Sequence, residues 1–298
     1  MTGIEVVFYL SVSEDNRIGR LFFVVNLRID EVNLPVMKKL LVILGMLCFC
    51  LSLSAQDFSP FKKKVFVRNG DTLPYRILYP QKYKKRKAYP VIVFLHGSGE
   101  RGNDNELQLL HGGNLFLKKN IRKYFPAIVI FPQCPKDSTW ARYQRNLKTR
   151  ELTFLPDPAP TVPQTLVKEL IDSLVDKGKA DTKRIYLGGL SLGGFGTYDM
   201  LSRYPDYFAA AFPICGAMDI PRFLEKAKNV PLWIFHGALD ETVSPMYDRE
   251  LYAGLMTRGV TTVTYTEYPQ DGHNSWDDAF AEPRLLPWLF SNKKRKEK

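Results

Sequence analysis

The chain has 298 residues, of which 45% are hydrophobic and 24% are charged, which is enough for one large domain and leaves little room for a second. Its formal net charge is +11, but the basic residues lie in short scattered runs without an aromatic-interleaved stripe, so nucleic-acid binding is not expected. No cluster of histidines and carboxylates indicates a metal site, and no cofactor is expected.

The segment Met37–Ala55 is typical of a secretory signal peptide, because two lysines precede an apolar run and small residues follow it. The run is shorter than the roughly 20 residues that a membrane span needs, although an uncleaved anchor is the alternative. A signal peptide belongs at the N-terminus, so we expect translation to begin at Met37, with residues 1–36 as a leader outside the protein. The product would be secreted or periplasmic, with residues 56–298 as one domain and no stable membrane span.

Eight runs in this domain are predicted to be strands, because they are apolar or alternate between apolar and polar residues. The first two flank Asn69-Gly70, a dipeptide typical of a tight hairpin, so the domain should open with an antiparallel pair. The predicted strands are Lys64–Arg68, Thr72–Tyr79, Pro90–Leu95, Ala127–Phe131, Arg184–Leu187, Phe208–Ile214, Pro231–Phe235 and Thr262–Tyr268.

Helical patterns alternate with the later strands, which predicts an α/β fold with a mostly parallel central sheet and helices on both faces. Ligands of such sheets bind beyond the carboxyl ends of the strands. The stretch Cys134–Thr161 has no regular pattern, and we expect an irregular wall or lid of a substrate cleft there. The predicted helices are Leu107–Lys119, Pro163–Asp176, Leu192–Arg203, Pro221–Lys228, Pro245–Arg258 and Asp278–Phe290.

Gly189, Ser191 and Gly193 fit the pattern G-x-S-x-G, in which a serine lies on a tight turn between a strand and a helix. Glycine neighbours leave room for the serine hydroxyl to project from the sheet edge. The alternative is a glycine-rich turn that only packs a helix closely on the sheet. An apolar run precedes this pattern and a helical pattern follows it, so Ser191 is predicted to be a nucleophile.

A serine hydroxyl needs a base within hydrogen-bond reach and a third group that orients the base. His273 follows the last predicted strand and is the expected base, while Asp240 follows the preceding strand and is the expected acid. This gives the order serine, acid, histidine that accompanies the G-x-S-x-G turn. The rival residues are His96, His111 and His236 for the base and Asp219 and Asp271 for the acid.

Acyl transfer also needs hydrogen-bond donors where the carbonyl oxygen becomes negative. The backbone NH of Leu192, directly after the nucleophile, is one expected donor. The glycine-flanked Ser98, in the loop after the predicted strand Pro90–Leu95, is expected to give the other NH. An ordinary strand-to-loop turn is the alternative for this second loop.

The ordered motifs resemble those of secreted α/β-hydrolases labelled predicted peptidases or phospholipase/carboxylesterases, which are relatives of esterase D, feruloyl esterases and polyhydroxybutyrate depolymerases. The resemblance runs from about residue 71 to residue 290. It implies an α/β-hydrolase fold and supports the roles given above to Ser191, Asp240, His273, Ser98 and Leu192. The motifs that carry it are HGSGERG after Leu95, PQCP after Phe131, GLSLGG at Gly189, PICG at Pro213, FHGALD at Phe235 and GHNSW at Gly272.

The resemblance also implies that Trp140 and Trp276 lie near the cleft, where their rings could hold a sugar or an aryl acyl group. Packing is the alternative for both. Glu100 and Arg101 are adjacent in the glycine-rich loop after Leu95, and we expect them to pair with each other there.

Cys134 and Cys215 are expected to be free thiols. In the strand order usual for this fold, the strands that precede them are separated by two others. At about 4.8 Å a step this places them roughly 14 Å apart, which is too far for a disulfide.

We therefore expect a serine hydrolase that cleaves carboxylic esters through an acyl-enzyme, with acyl groups on polysaccharide or aryl esters as substrates. A serine peptidase with the same triad and an acyltransferase are the alternatives. A non-catalytic binding protein is disfavoured because the serine, histidine and aspartate are all present.

Overall fold

The computed structural model of the chain describes residues 12–14, 21–23, 56–146, 148–155 and 159–294. The chain divides into two compact units, Met1–Ala55 and Gln56–Lys298. In the first unit, β1 (Val12–Glu14) pairs antiparallel with β2 (Leu21–Phe23). The signal peptide predicted at residues 37–55 and the translation start at Met37 lie outside the described residues and stay predictions.

The described part of the second unit contains strands and helices that alternate along most of the chain. The strands are β3 (Lys62–Arg68), β4 (Asp71–Leu78), β5 (Tyr89–Leu95), β6 (Ile128–Pro132), β7 (Tyr143–Arg145), β8 (Leu152–Phe154), β9 (Ala180–Leu190), β10 (Ala210–Ile214), β11 (Leu232–Gly237) and β12 (Val263–Tyr268). The helices are α1 (Gly113–Leu117), α2 (Lys119–Tyr124), α3 (Val162–Asp176), α4 (Leu192–Arg203), α5 (Ile220–Lys226), α6 (Met246–Met256), α7 (Trp276–Ala281) and α8 (Leu285–Ser291).

Eight of these strands form one mixed sheet in the order β12-β11-β10-β9-β5-β6-β4-β3. The pairs from β12 to β6 are parallel, whereas β4 pairs antiparallel with both β6 and β3. The β3–β4 turn places Asn69 at φ 51° and Gly70 at φ 88°, the left-handed conformations that a two-residue hairpin needs. The mostly parallel sheet and its antiparallel opening pair are confirmed.

The core lies on both faces of this sheet, because alternate residues of a strand point to opposite sides. In β5, which is buried throughout, Val91, Val93 and Leu95 join one apolar cluster, while Ile92 and Phe94 join the other. The first cluster also takes apolar residues from α3, α4, α5 and α6, and the second takes them from α1, α7 and α8. The helices therefore cover both faces, as expected.

Two predicted helices are interrupted, and backbone chemistry explains both interruptions. In Leu107–Lys119, Gly112 adopts φ 86°, and a Cβ there would lie 2.5 Å from the ring of Phe280, so this turn depends on a residue far along the chain. In Asp278–Phe290, Pro283 separates α7 from α8, because proline removes a backbone donor and disfavours helical backbone before it.

The prediction that Cys134–Thr161 is wholly irregular was wrong. Strands β7 and β8 form an antiparallel ladder that pairs Tyr143 with Phe154, and both rings pack against Phe195 of α4. Each strand is three residues long, too short for a periodic signal in the sequence.

Strands β6 and β10, which precede the two cysteines of the described domain, are separated by β5 and β9, in agreement with the predicted strand order. Cys134 and Cys215 are both free and buried. Within the described residues, no helix has the length and apolar character needed to cross a membrane.

Candidate active site

Ser191 occupies the sharp turn between β9 and α4, at φ 52° and ψ −118°, a backbone conformation that is costly for a residue with a side chain. Close packing on both sides explains the flanking glycines. A Cβ on Gly189 would lie 2.3 Å from the carbonyl oxygen of Gly193, and a Cβ on Gly193 would lie 1.9 Å from that of Leu95. The turn thus needs glycine at both positions.

The three side chains predicted to form a triad lie in one hydrogen-bonded row. His273 Nε2 is 2.9 Å from Ser191 Oγ, and His273 Nδ1 is 2.7 Å from Asp240 Oδ2. A carboxylate only accepts, so Nδ1 carries the proton and Nε2 is left to accept from the serine hydroxyl. The row can therefore move a proton from Ser191 to His273.

Asp240 is fixed by the loop after β11. Its Oδ1 accepts from the backbone NH groups of Thr242 and Val243 at 2.8 and 2.9 Å. Burial would raise the pKa of Asp240, but hydrogen bonds with His236, His273 and the NH of Val243 hold that pKa well below its usual range. Asp240 is thus a carboxylate whenever His273 needs an acceptor.

The rival acids and bases lie elsewhere or have other partners. Asp219 caps α5 through the NH of Arg222. Burial lowers the pKa of His96 to about 4, and its ring joins the carbonyl of Gly97 to the NH of Cys134. His96 therefore holds the loop after β5 in place.

Ser98 and Leu192 both line one cleft, which has a volume of about 470 Å³. Ser98 begins a short 3₁₀ turn and Leu192 begins α4. The first NH groups of a helix have no partner within it, so they are free to meet a substrate oxygen. Ala141, Arg142, Tyr143 and Gln144 form a further part of the lining, so the segment with β7 and β8 is one wall of this cleft.

The two tryptophans differ from each other in exposure. Trp140 is 0% exposed, and its indole NH donates to the carbonyl of His96 at 3.1 Å. The substrate contact implied for Trp140 is therefore wrong. Its ring belongs to the core and supports the loop after β5. Trp276 is partly exposed, and its ring lies 5.5 Å from that of His273.

Glu100 and Arg101 do not pair, contrary to expectation. The Arg101 guanidinium donates to the carbonyls of Ser98 and Ser138, whereas Glu100 Oε1 lies 3.7 Å from His111 Nε2. The side chains of adjacent residues in a 3₁₀ turn point in different directions, which explains why Glu100 and Arg101 find other partners.

Among the described residues, Cys215, Asp240 and His273 are a group whose donor atoms lie within 4.8 Å of one another. These groups are poorly suited to a metal ion. Asp240 and His273 direct their atoms at each other, and burial raises the pKa of the Cys215 thiol well above its ordinary value, whereas metal binding needs a thiolate.

Sequence reasoning did not find the polar side chains behind Asp240. His236 was considered only as a rival base, and Asp248 and Tyr198 were not singled out. All three are fully buried and hydrogen-bonded to one another. They come from β11, α6 and α4, so no local motif joins them.

Comparison with known proteins identifies the group to which this architecture belongs. The family model described as phospholipase/carboxylesterase matches residues 82–283. A solved thermostable esterase has 34% sequence identity and a TM-score of 0.70, over 78% of this chain and 63% of that one. The feruloyl esterase module from Clostridium thermocellum, with 14% identity and a TM-score of 0.59 over 80% of this chain and 90% of that one, shows the same fold.

Two curated proteins match over short segments. A bifunctional acetylxylan esterase/xylanase from Neocallimastix patriciarum is 32% identical over 78 residues, 26% of this chain and 12% of that protein. Poly(3-hydroxyalkanoate) depolymerase C from Paucimonas lemoignei is 42% identical over 50 residues, 17% of this chain and 12% of that protein. The matches thus span about an eighth of each relative. Because the family model covers more than half of the chain, the protein belongs to the phospholipase/carboxylesterase family of α/β-hydrolases.

Proposed function

We propose that the protein is a serine hydrolase that cleaves carboxylic esters through an acyl-enzyme. The observation that carries this proposal is the row Ser191–His273–Asp240, with contacts of 2.9 and 2.7 Å, at the strained turn after β9. In this mechanism Ser191 Oγ attacks the ester carbonyl carbon while His273 accepts its proton. His273 then protonates the leaving alcohol, and water releases the acyl group by the same route.

The NH groups of Ser98 and Leu192 would stabilise the oxyanion that forms in both steps. Their place beside one open cleft supports this assignment. Trp276, partly exposed and next to His273, is the aromatic surface proposed to contact substrate.

The proposed substrates are acyl groups carried on a polymer, or aryl esters. The two curated relatives are named as a bifunctional acetylxylan esterase/xylanase and a poly(3-hydroxyalkanoate) depolymerase, and both names refer to polymers. The sequence segment 37–55 supports the further proposal that the protein is secreted or periplasmic. A peptidase or an acyltransferase would use the same triad, and substrate comparison separates these alternatives.

The test is a panel of aryl acyl esters, acetylated xylo-oligosaccharides and peptide amides offered to the purified protein. We expect ester hydrolysis and little or no amide hydrolysis, because an amide has a much poorer leaving group. Adding an alcohol as a second acceptor shows how much of the acyl group is transferred to the alcohol and how much is released by water. Activity on the amides without activity on the esters would contradict the proposal.

Ester hydrolysis should fall on acidification along a single-proton limb, because protonated His273 cannot accept the proton of Ser191. Two other candidates for this limb are removed by their environments. Burial lowers the pKa of His96 to about 4, and that of Asp240 is held well below its usual range. The fall in activity is therefore sought in a scan over about pH 4 to 9.

The measurement is kcat/KM for a simple ester against pH, with a spectroscopic probe of folding at each point. Activity that is flat across this range, or that rises towards acid, would show that His273 is not the base.

A further inference from the structure

A buried row of polar side chains continues from Asp240 away from Ser191. His236 Nε2 lies 3.2 Å from Asp240 Oδ2 and 3.0 Å from the carbonyl oxygen of Val243. On its other side, His236 Nδ1 lies 2.6 Å from Asp248 Oδ2, and the Tyr198 hydroxyl donates to Asp248 Oδ1 at 2.5 Å. The side chains of His236, Asp240 and Asp248 are all 0% exposed.

The partners of His236 determine its charge. Both ring nitrogens face carbonyl or carboxylate oxygens, so each nitrogen carries a proton when Asp240 and Asp248 are ionised. Burial alone would lower the pKa of His236, but hydrogen bonds with Asp240 and Asp248 raise it to about 10. Burial raises the pKa of Asp248, and hydrogen bonds from His236 and Tyr198 oppose this change, so the arrangement favours an imidazolium at His236 with Asp248 as its counterion.

Asp240 therefore lies between two imidazole rings. Its Oδ2 accepts from His273 at 2.7 Å and lies 3.2 Å from His236 Nε2, which hydrogen-bonds to the Val243 carbonyl. The cation on one side holds Asp240 as an anion, but it also opposes a second positive charge on His273. During catalysis His273 must gain such a charge and lose it again.

We propose that His236 and Asp248 are positioning residues, in which Asp248 keeps His236 cationic and this cation sets how strongly Asp240 stabilises protonated His273. The inference rests on the proposed triad mechanism and goes beyond it, because neither residue touches the reacting atoms. Other titratable groups face this row from neighbouring elements. They are Tyr198 on α4, Cys215 after β10, and Tyr265 and Glu267 on β12.

Asp248→Asn is the decisive variant, because it can discharge His236 while every hydrogen bond is kept. The amide oxygen can still accept from Tyr198, and the amide NH₂ can donate to an unprotonated His236 Nδ1. We expect the acid limb of kcat/KM to move to higher pH by about half a unit, since removing the nearby cation outweighs removing the more distant anion at an effective dielectric of about 20. Turnover on the alkaline side of the limb should change less than about tenfold.

Asp199→Asn is the matched control. Asp199 is also a largely buried carboxylate, paired with Arg203 and Arg222, but it does not contact Asp240. This variant should lower the melting temperature without moving the acid limb. An unmoved limb in folded Asp248→Asn, a shift to lower pH, or an equal shift in Asp199→Asn would overturn the proposal.

A measurement on the unaltered chain keeps the proposal testable if Asp248→Asn fails to fold. In protein labelled with ¹⁵N-histidine, the His236 ring should show two protonated nitrogens at about pH 8, where ordinary histidines are neutral. His236→Gln assigns the signal. A neutral His236 ring would refute the proposal whether or not the protein is active. This result is distinct from a failure of the proposed triad mechanism, which Ser191 variants test.

Discussion

Replacing Ser191 with alanine should lower turnover of an ester by about a millionfold, the scale found when a serine nucleophile is removed from other hydrolases. In the proposed mechanism, the change removes the oxygen that would form the acyl-enzyme and leaves His273 without a proton to accept. The NH groups of Ser98 and Leu192 would remain, so weak activity above the reaction in water should persist. The fold should be retained, because alanine fits the space that the serine occupies.

The measurement is kcat and kcat/KM for an aryl ester, together with circular dichroism and a thermal melt. Ser244→Ala is the matched control. Ser244 is an exposed serine whose Oγ accepts from the NH of Met246 at 3.3 Å, and its replacement should leave turnover within about twofold, as for most surface substitutions. If the turnover of Ser191→Ala stays within tenfold of that of the parent enzyme, the proposed mechanism is contradicted.

Asp240→Asn should lower turnover by about ten-thousandfold. The loss should be smaller than for the serine change, because in the proposed mechanism Asp240 orients His273 without exchanging the proton itself. Asp240 uses Oδ1 to accept from two backbone NH groups and Oδ2 to accept from His273. An amide has one acceptor oxygen and one NH₂ group. Asparagine therefore either loses the loop contacts or presents a donor to His273, which then takes the wrong tautomer.

Asp271→Asn is the control for this change, since Asp271 lies two residues before His273 and was one of the two rival acids in the sequence. Its side chain is partly exposed, and we expect an effect below about tenfold. The assignment of the acid would be reversed if Asp271→Asn lost activity and Asp240→Asn kept it, with both proteins folded.

The sheet and the row of Ser191, His273 and Asp240 were accessible from sequence because each depends on a local pattern. Apolar runs mark the buried strands, and the glycines around Ser191 mark a turn that has no room for a Cβ on either side. The three side chains come from separate loops, but all three loops follow parallel strands. Parallel strands end at one edge, which brings their loops together.

The remaining features depend on contacts between distant segments. The break at Gly112 is set by the ring of Phe280, and the burial of Trp140 is set by its contact with Gly196 and the carbonyl of His96. The row behind Asp240 needs residues from three elements. In the sequence, His236 is only a histidine before a glycine, and the charge proposed for it rests on its buried partners.

The most direct test of the central claim is covalent capture of the nucleophile. A fluorophosphonate ester forms a stable adduct with an activated serine hydroxyl, so intact mass spectrometry should show one adduct per chain, and loss of esterase activity should follow its formation. Peptide mapping should place the adduct on Ser191, and protein pre-incubated with substrate should label more slowly. Full inactivation with the adduct on another residue, or an active enzyme that acquires no adduct, would contradict the account.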